Sequence, residues 1–122
     1  MESPHKSKHS ARRLLNAIGY SCAGFAAAFR HETAFREEVA LAVFLVPAGL
    51  WLGGNAAEKA LLAGSVVLVL VTELLNSAVE AAVDRVSLED HRLAKRAKDM
   101  GSAAVMLSIC ITVLTWGLVL FV

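Results

Sequence analysis

Residues 60–85 read ALLAGSVVLVLVTELLNSAVEAAVDR, thirteen residues without a charge followed by Glu73, Glu80 and Asp84. The run is apolar enough to cross a membrane, and an unpaired charge in hydrocarbon costs several kcal/mol, so carboxylates there signal either pairing or function. On a helix turning 100° per residue, Glu73, Asn76, Ser77, Glu80 and Asp84 fall within about 100° of arc, one polar stripe on one helix face. If the helix enters the hydrocarbon near Ala60, twenty residues at ~1.5 Å each reach the far boundary near Val79. Glu73 then lies roughly 10 Å inside the membrane and Glu80 close to its edge, where headgroups meet water.

The rest of the chain agrees with a membrane setting. Of its 122 residues 57% are hydrophobic, and the mean hydropathy is +0.58, too apolar for an ordinary soluble domain of this size. A formal net charge of +1 and the lack of a dense basic face argue against a nucleic-acid partner. Cys22 and Cys110 have no metal-site spacing and read as buried apolar residues. The first ten residues are polar and lead into Ala-Arg-Arg-Leu-Leu, which is not a cleavable signal, so the apolar segments read as permanent.

Three apolar stretches predict three transmembrane helices at 39–54, 60–83 and 101–122 in a single all-α integral membrane domain. Pro47 is tolerable in the first where neighbours satisfy the freed carbonyl. Eleven of the twelve Lys and Arg residues lie before the first span or in the 84–100 segment, with only Lys59 elsewhere. That distribution predicts a cytoplasmic N-terminus and 84–100 loop, and a C-terminus on the opposite side. Between a polar tail (1–10) and the first span, Leu14, Ile18, Cys22, Phe25 and Phe29 share one helical stripe, which predicts an amphipathic interfacial helix over 11–33 with Ser10 as its N-cap. Ser87 and Asp90 form a capping pair that should end the second span near Val86 and start a new helix running into the third.

Three readings of the acidic stripe are open at this point. It can be a polar seam between packed helices, part of an ion path, or a site for phosphoryl transfer to a molecule dissolved in the membrane. An ion path usually carries polar groups through the whole bilayer, and spans one and three have no ionisable residue. RAKDMG at 96–101 places cations beside the acids, and Glu32 precedes the first span, so ligands for magnesium and for phosphate lie on one side. Neither a P-loop nor a protein-kinase glycine loop is present. His31 and His91 lack the partner spacing of metal ligands.

ELLNSAVEAAVDR resembles the signature of the prokaryotic diacylglycerol kinase family, E-x-[aliphatic]-N-[ST]-[SA]-[aliphatic]-E-x-x-V-D, through Glu73, Asn76, Ser77, Ala78, Glu80, Val83 and Asp84. The resemblance extends through NAIGYSCAGFAAAFRHETAFREE (16–38) and AKDMGSAAV (97–105). It implies a homotrimer of three-span subunits in the bacterial inner membrane, using MgATP to phosphorylate the free hydroxyl of diacylglycerol. By position it implies Glu73 as catalytic base with Asn76 beside it, and Glu32 and Glu80 as Mg²⁺ ligands. Arg13, Tyr20, Glu89, His91, Lys98 and Asp99 fall at nucleotide positions; Arg13, Glu73 and Met100 fall at lipid positions; Ser77 and Asp84 complete the polar site. Cys22, Glu37 and Thr72 depart from the family's usual tryptophan, neutral polar and aliphatic residues. Undecaprenol, another primary alcohol at the same interface, is the alternative substrate within the resemblance, and a non-enzymatic assembly is the alternative outside it. Three helices should not wrap the Glu73 face unaided, which also predicts a homo-oligomer.

Overall fold

The structure, a computed structural model, describes residues 4–86 and 91–122. Four α-helices follow one another: α1 (Pro4–His31), α2 (Thr33–Leu52), α3 (Ala56–Val86) and α4 (His91–Phe121). There is no strand among the described residues, and the chain is an all-α membrane protein. α3 is the central element, packed along α4 on one side and α2 on the other, while α1 touches α2 and α3 only near its end. Leu62, Ser65, Val66, Val69 and Glu73 form the buried face of α3; their steps of three and four are those of one helical stripe.

α1 begins at Pro4, ahead of the predicted start, and Ser10 lies within it and not at its cap. Proline is favoured in the first turn, where its missing N–H is not needed, and nothing between His5 and Arg13 breaks a helix. The stripe of Leu14, Ile18, Phe25 and Phe29 is exposed along α1, as an interfacial helix requires. Cys22 and Cys110 are free and exposed, which corrects their expected burial: their helix faces look away from the other helices of the chain.

Helix α1 stops at a single residue. Glu32 is extended (φ −115°, ψ 107°), and Arg36 clamps the elbow by donating to the carbonyls of Phe29 at 2.8 Å and Arg30 at 3.0 Å. A guanidinium thus takes up carbonyls that the helix end leaves without partners. Pro47 sits inside α2, and Gly53 caps its end. Gly49 is buried against α3, where an added Cβ would lie 2.9 Å from Leu62 Cβ and 3.1 Å from the Ala63 nitrogen.

α3 starts four residues before the predicted boundary because Asn55 and Glu58 cap it. Glu58 N–H donates to Asn55 Oδ1 at 2.9 Å, and Gly54 N–H donates to the Glu58 carboxylate at 2.7 Å, a reciprocal arrangement close to a capping box. The described part of α3 reaches Val86; the proposed Ser87–Asp90 cap lies outside the described residues. α3 and α4 are long and apolar enough to cross a membrane. In α2, Arg36, Glu37 and Glu38 occupy the first two turns, leaving a shorter apolar stretch.

Candidate active site

The acidic stripe stands on the C-terminal half of α3 as a continuous helix face. Glu73 is only 6% exposed, so one chain covers it, contrary to the expectation that three helices would leave it open. The elbow at Glu32 supplies the cover: it turns the end of α1 and the start of α2 onto α3, and buries Phe35. Glu80 and Glu32 lie near enough for their charges to act on Glu73, and Glu73 near enough to act on Glu38. Among the described residues no cation makes an ion pair with Glu73 or Glu80. The cation whose charge reaches Glu80, Lys98, is bound to Asp84 at 2.6 Å. That hydrogen bond, together with the Asp84 charge, raises the Lys98 ammonium above the ordinary lysine range.

Asn76 projects from α3 toward α4. Its Nδ2 lies 3.4 Å from Glu80 Oε1, a long contact, and its buried Oδ1 has no hydrogen-bond partner. A Cβ on Gly101 would run into that oxygen, so glycine lets α4 approach the amide. Ser77 lines a cavity of about 600 Å³ between α1 and α3, with Ser21, Gly24, His31 and Glu32 among its walls, a volume typical of small-molecule sites.

A second groove runs between α2 and α4 over α3. Val66, Val69 and Leu70 of α3 line it with Leu41 and Leu45 of α2 and Ile109, Thr112 and Val113 of α4, and Glu37 and Glu38 also lie in its wall. Glu38 was not among the expected site residues. Its Oε2 is buried without a partner, and the charge of Glu73 acts on it. The signal was present in the sequence: Phe35, Glu38, Ala42 and Gly49 follow helical spacing, and Phe35, Ala42 and Gly49 are the buried residues of α2.

Other expected positions lie apart from this cluster. Asp99 pairs with Lys95 at 2.7 Å and, with Met100, lines an open groove that also holds Arg92 and Arg96. Hydrogen bonding to Asp99 raises the Lys95 ammonium. Arg13 and Tyr20 sit on exposed α1 surface, and Arg13 is about 27 Å from His31 along the axis at 1.5 Å per residue. His91 opens α4, and Glu89 lies outside the described residues.

The oxygen-only donors at this site suit a hard divalent cation. Mg²⁺ retains waters and is held by one or two carboxylates plus substrate phosphates, not by an all-protein cage. Two carboxylates whose charges act on Glu73, Glu32 and Glu80, would be enough for that pattern, and among the described residues there is no cluster of three or more metal-ligating side chains.

The comparisons with known proteins bear on the same residues. The family model described as prokaryotic diacylglycerol kinase matches residues 19–120. A protein of Pseudomonas aeruginosa named diacylglycerol kinase is 52% identical over 118 residues, covering 97% of this chain and 96% of the relative. Proteins of the same name from Haemophilus influenzae and Escherichia coli K12 are 49% and 47% identical, covering 88% and 89% of this chain and 92% and 89% of their own lengths. The model match takes in α2, α3 and almost all of α4, with the carboxylate stripe at its centre, and the chain belongs to the prokaryotic diacylglycerol kinase family.

Proposed function

We propose that this protein transfers the γ-phosphoryl group of ATP to the free hydroxyl of diacylglycerol, releasing ADP and phosphatidic acid at the cytoplasmic face of the bacterial inner membrane. The observation that carries the proposal is the gathering of Glu32, Glu73 and Glu80 with no cation paired to Glu73 or Glu80 among the described residues. A structural seam would neutralise such acids; a phosphoryl-transfer site needs them available. The names of the relatives support diacylglycerol as the lipid.

Glu73, the deeper carboxylate, accepts the proton of the lipid hydroxyl as the oxygen attacks phosphorus. Its burial keeps competing water from the base. Glu32 and Glu80, nearer the aqueous edge, would hold Mg²⁺. When bound, the ion supplies charge neutralisation on the phosphate oxygens. Lys98 and Asp84 stand at the same edge as a preformed pair, from which the ammonium can turn to a phosphate. The apolar groove beside Glu73 offers space for an acyl chain, and Asn76 holds an amide next to Glu80.

The same proposal includes three spans, with α2 as the first over 39–54. It places the N-terminus in the cytoplasm, the C-terminus outside, and three chains in the oligomer. The exposed apolar surface of α4, including Met106, Leu107, Val113 and Leu114, is compatible with contacts to lipid or to neighbouring subunits.

The test follows labelled γ-phosphate from MgATP to diacylglycerol and, separately, to undecaprenol, using purified protein in mixed micelles. Transfer to diacylglycerol that stops with a magnesium chelator is expected. Transfer to undecaprenol alone would replace the substrate, and no transfer by a folded oligomer would overturn the kinase reading.

A further inference from the structure

Thr72, the residue before Glu73, lies with its Oγ1 2.8 Å from Ser108 Oγ on α4. Ser108 is 2% exposed, so its hydroxyl has no water to turn to. Each hydroxyl also has an acceptor on its own helix, the Val69 carbonyl at 3.0 Å for Thr72 and the Val105 carbonyl at 2.7 Å for Ser108. A hydroxyl has a single proton to donate, so one of the two donates across the helices while the other donates back. The cross-helix bond is therefore made only while α3 and α4 keep this register and facing.

Two further contacts join the helices below it. Thr112 Oγ1 lies 2.9 Å from the Ser65 carbonyl and 3.1 Å from the Ser108 carbonyl of its own helix, and Trp116 Nε1 donates to the Leu62 carbonyl at 3.1 Å. Both of these reach α3 backbone carbonyls, eight and eleven residues before Glu73. Besides the Asp84–Lys98 ion pair eleven residues beyond Glu73, Thr72–Ser108 is the contact among the described residues through which α4 takes hold of an α3 side chain, and it does so one residue from Glu73. Thr72 faces α4 while Glu73, 100° further round the helix, faces the acids of the elbow. We infer that the Thr72–Ser108 hydroxyl pair positions Glu73 by fixing the rotation of α3 about its axis, with both members acting as positioning residues for the phosphoryl transfer.

The lever is short and stiff. A carboxylate ~5–6 Å off the helix axis moves by about 1 Å when the helix turns by about 10°. A displacement of about 1 Å at a reacting group can cost ~100-fold in rate. The buried apolar stripe of α3 also resists rotation, so loss of the pair should cost a part of that, about 10-fold.

The inference rests on Glu73 being the base, and the experiment separates the two. Thr72→Val, Ser108→Ala, their double variant, Thr72→Ser and Glu73→Gln are compared at saturating MgATP and diacylglycerol, with rates normalised to folded oligomer. Thr72→Val and Ser108→Ala are expected to lower kcat by about 10-fold and leave the KM for MgATP unchanged. The double variant, an apolar pair with no hydroxyl left unsatisfied, should fall no further, and Thr72→Ser, which keeps the hydroxyl, should stay within about twofold. If kcat stays within twofold in both single variants while only the melting temperature drops, the pair is a packing contact and the inference is wrong. It is equally wrong if the two losses multiply in the double variant, since the residues then act separately. Turnover retained in Glu73→Gln would instead remove the base assignment, and the inference with it; an inactive Glu73→Gln beside unchanged single variants would remove the inference alone.

Discussion

Gly101→Ala should separate activity from stability. Gly101 lies inside α4, where alanine is favoured over glycine by about 1 kcal/mol. The new methyl group would meet Asn76 Oδ1, while the nearest α3 backbone atom, Asn76 Cα, stays at an ordinary 3.8 Å. The obstacle is thus the far end of a side chain. Little holds that end in place: Oδ1 has no partner, and the contact from Nδ2 to Glu80 is 3.4 Å. The amide should swing by about 1 Å to restore a normal separation of ~3.5–4.0 Å, while the helices stay where they are. Stability should be unchanged or higher by up to about 1 kcal/mol. Turnover should fall by about 10- to 100-fold, the scale for a misplaced group in a site, which corresponds to ~1.4–2.7 kcal/mol in the barrier. Thermal unfolding and initial rates on the same preparation in mixed micelles read both quantities. A variant that melts as the parent does and turns over within twofold of it would refute the placement of Asn76 in the reactive site. A variant that fails to assemble would refute the account of the α3–α4 approach.

Three further outcomes follow from the same geometry. Glu73→Gln, close in shape but unable to accept a proton, should lower kcat by ~10²–10⁴-fold while equilibrium dialysis still detects MgATP binding. Glu80→Gln should raise the Mg²⁺ concentration needed for half-maximal rate, measured by titration at fixed ATP; an unchanged requirement would take Glu80 out of the metal site. Gly49→Ala puts a methyl group against Leu62 Cβ and the Ala63 nitrogen, neither of which can swing aside. It should destabilise the protein by about 1–3 kcal/mol in a denaturation assay, with the rate per folded molecule unchanged.

Much of this architecture is legible in the sequence because the two strongest signals are periodic. Apolar length marks α3 and α4, and a 100° step gathers Glu73, Asn76, Ser77, Glu80 and Asp84 onto one face. The cap of α3 was also readable, since Asn55 and Glu58 have the spacing of a capping box, but apolar length drew the boundary at Ala60. Glu38 was readable too, because its spacing from Phe35, Ala42 and Gly49 separates it from Glu37. The elbow was not: it depends on Arg36 reaching back to the Phe29 and Arg30 carbonyls, and no pattern in the chain announces that reach. Nor does a lone serine in an apolar run say that Ser108 faces Thr72, thirty-six positions away. Local spacing encodes helix faces; the pairing of one face with another depends on packing.

The hydroxyl contacts also decide between the two main readings of the acidic stripe. A seam in a membrane protein is built most cheaply from groups that can be satisfied without charge, because small polar side chains bond across helices at little desolvation cost. α3 and α4 have such a seam in the side chains of Thr72, Ser108, Thr112 and Trp116, and it runs along the uncharged part of α3. The carboxylates begin where those contacts stop. Among the described residues only Asp84 of the three is tied to α4 by an ion pair, through Lys98; the charges of Glu80 and Glu32 both act on Glu73. Concentrating like charges next to a seam that already holds the helices together makes no structural sense, since each acid opposes its neighbours and the buried one costs most. The arrangement becomes favourable once a cation and a phosphate share the site with the acids, and that is the condition under which a membrane-bound hydroxyl can be phosphorylated.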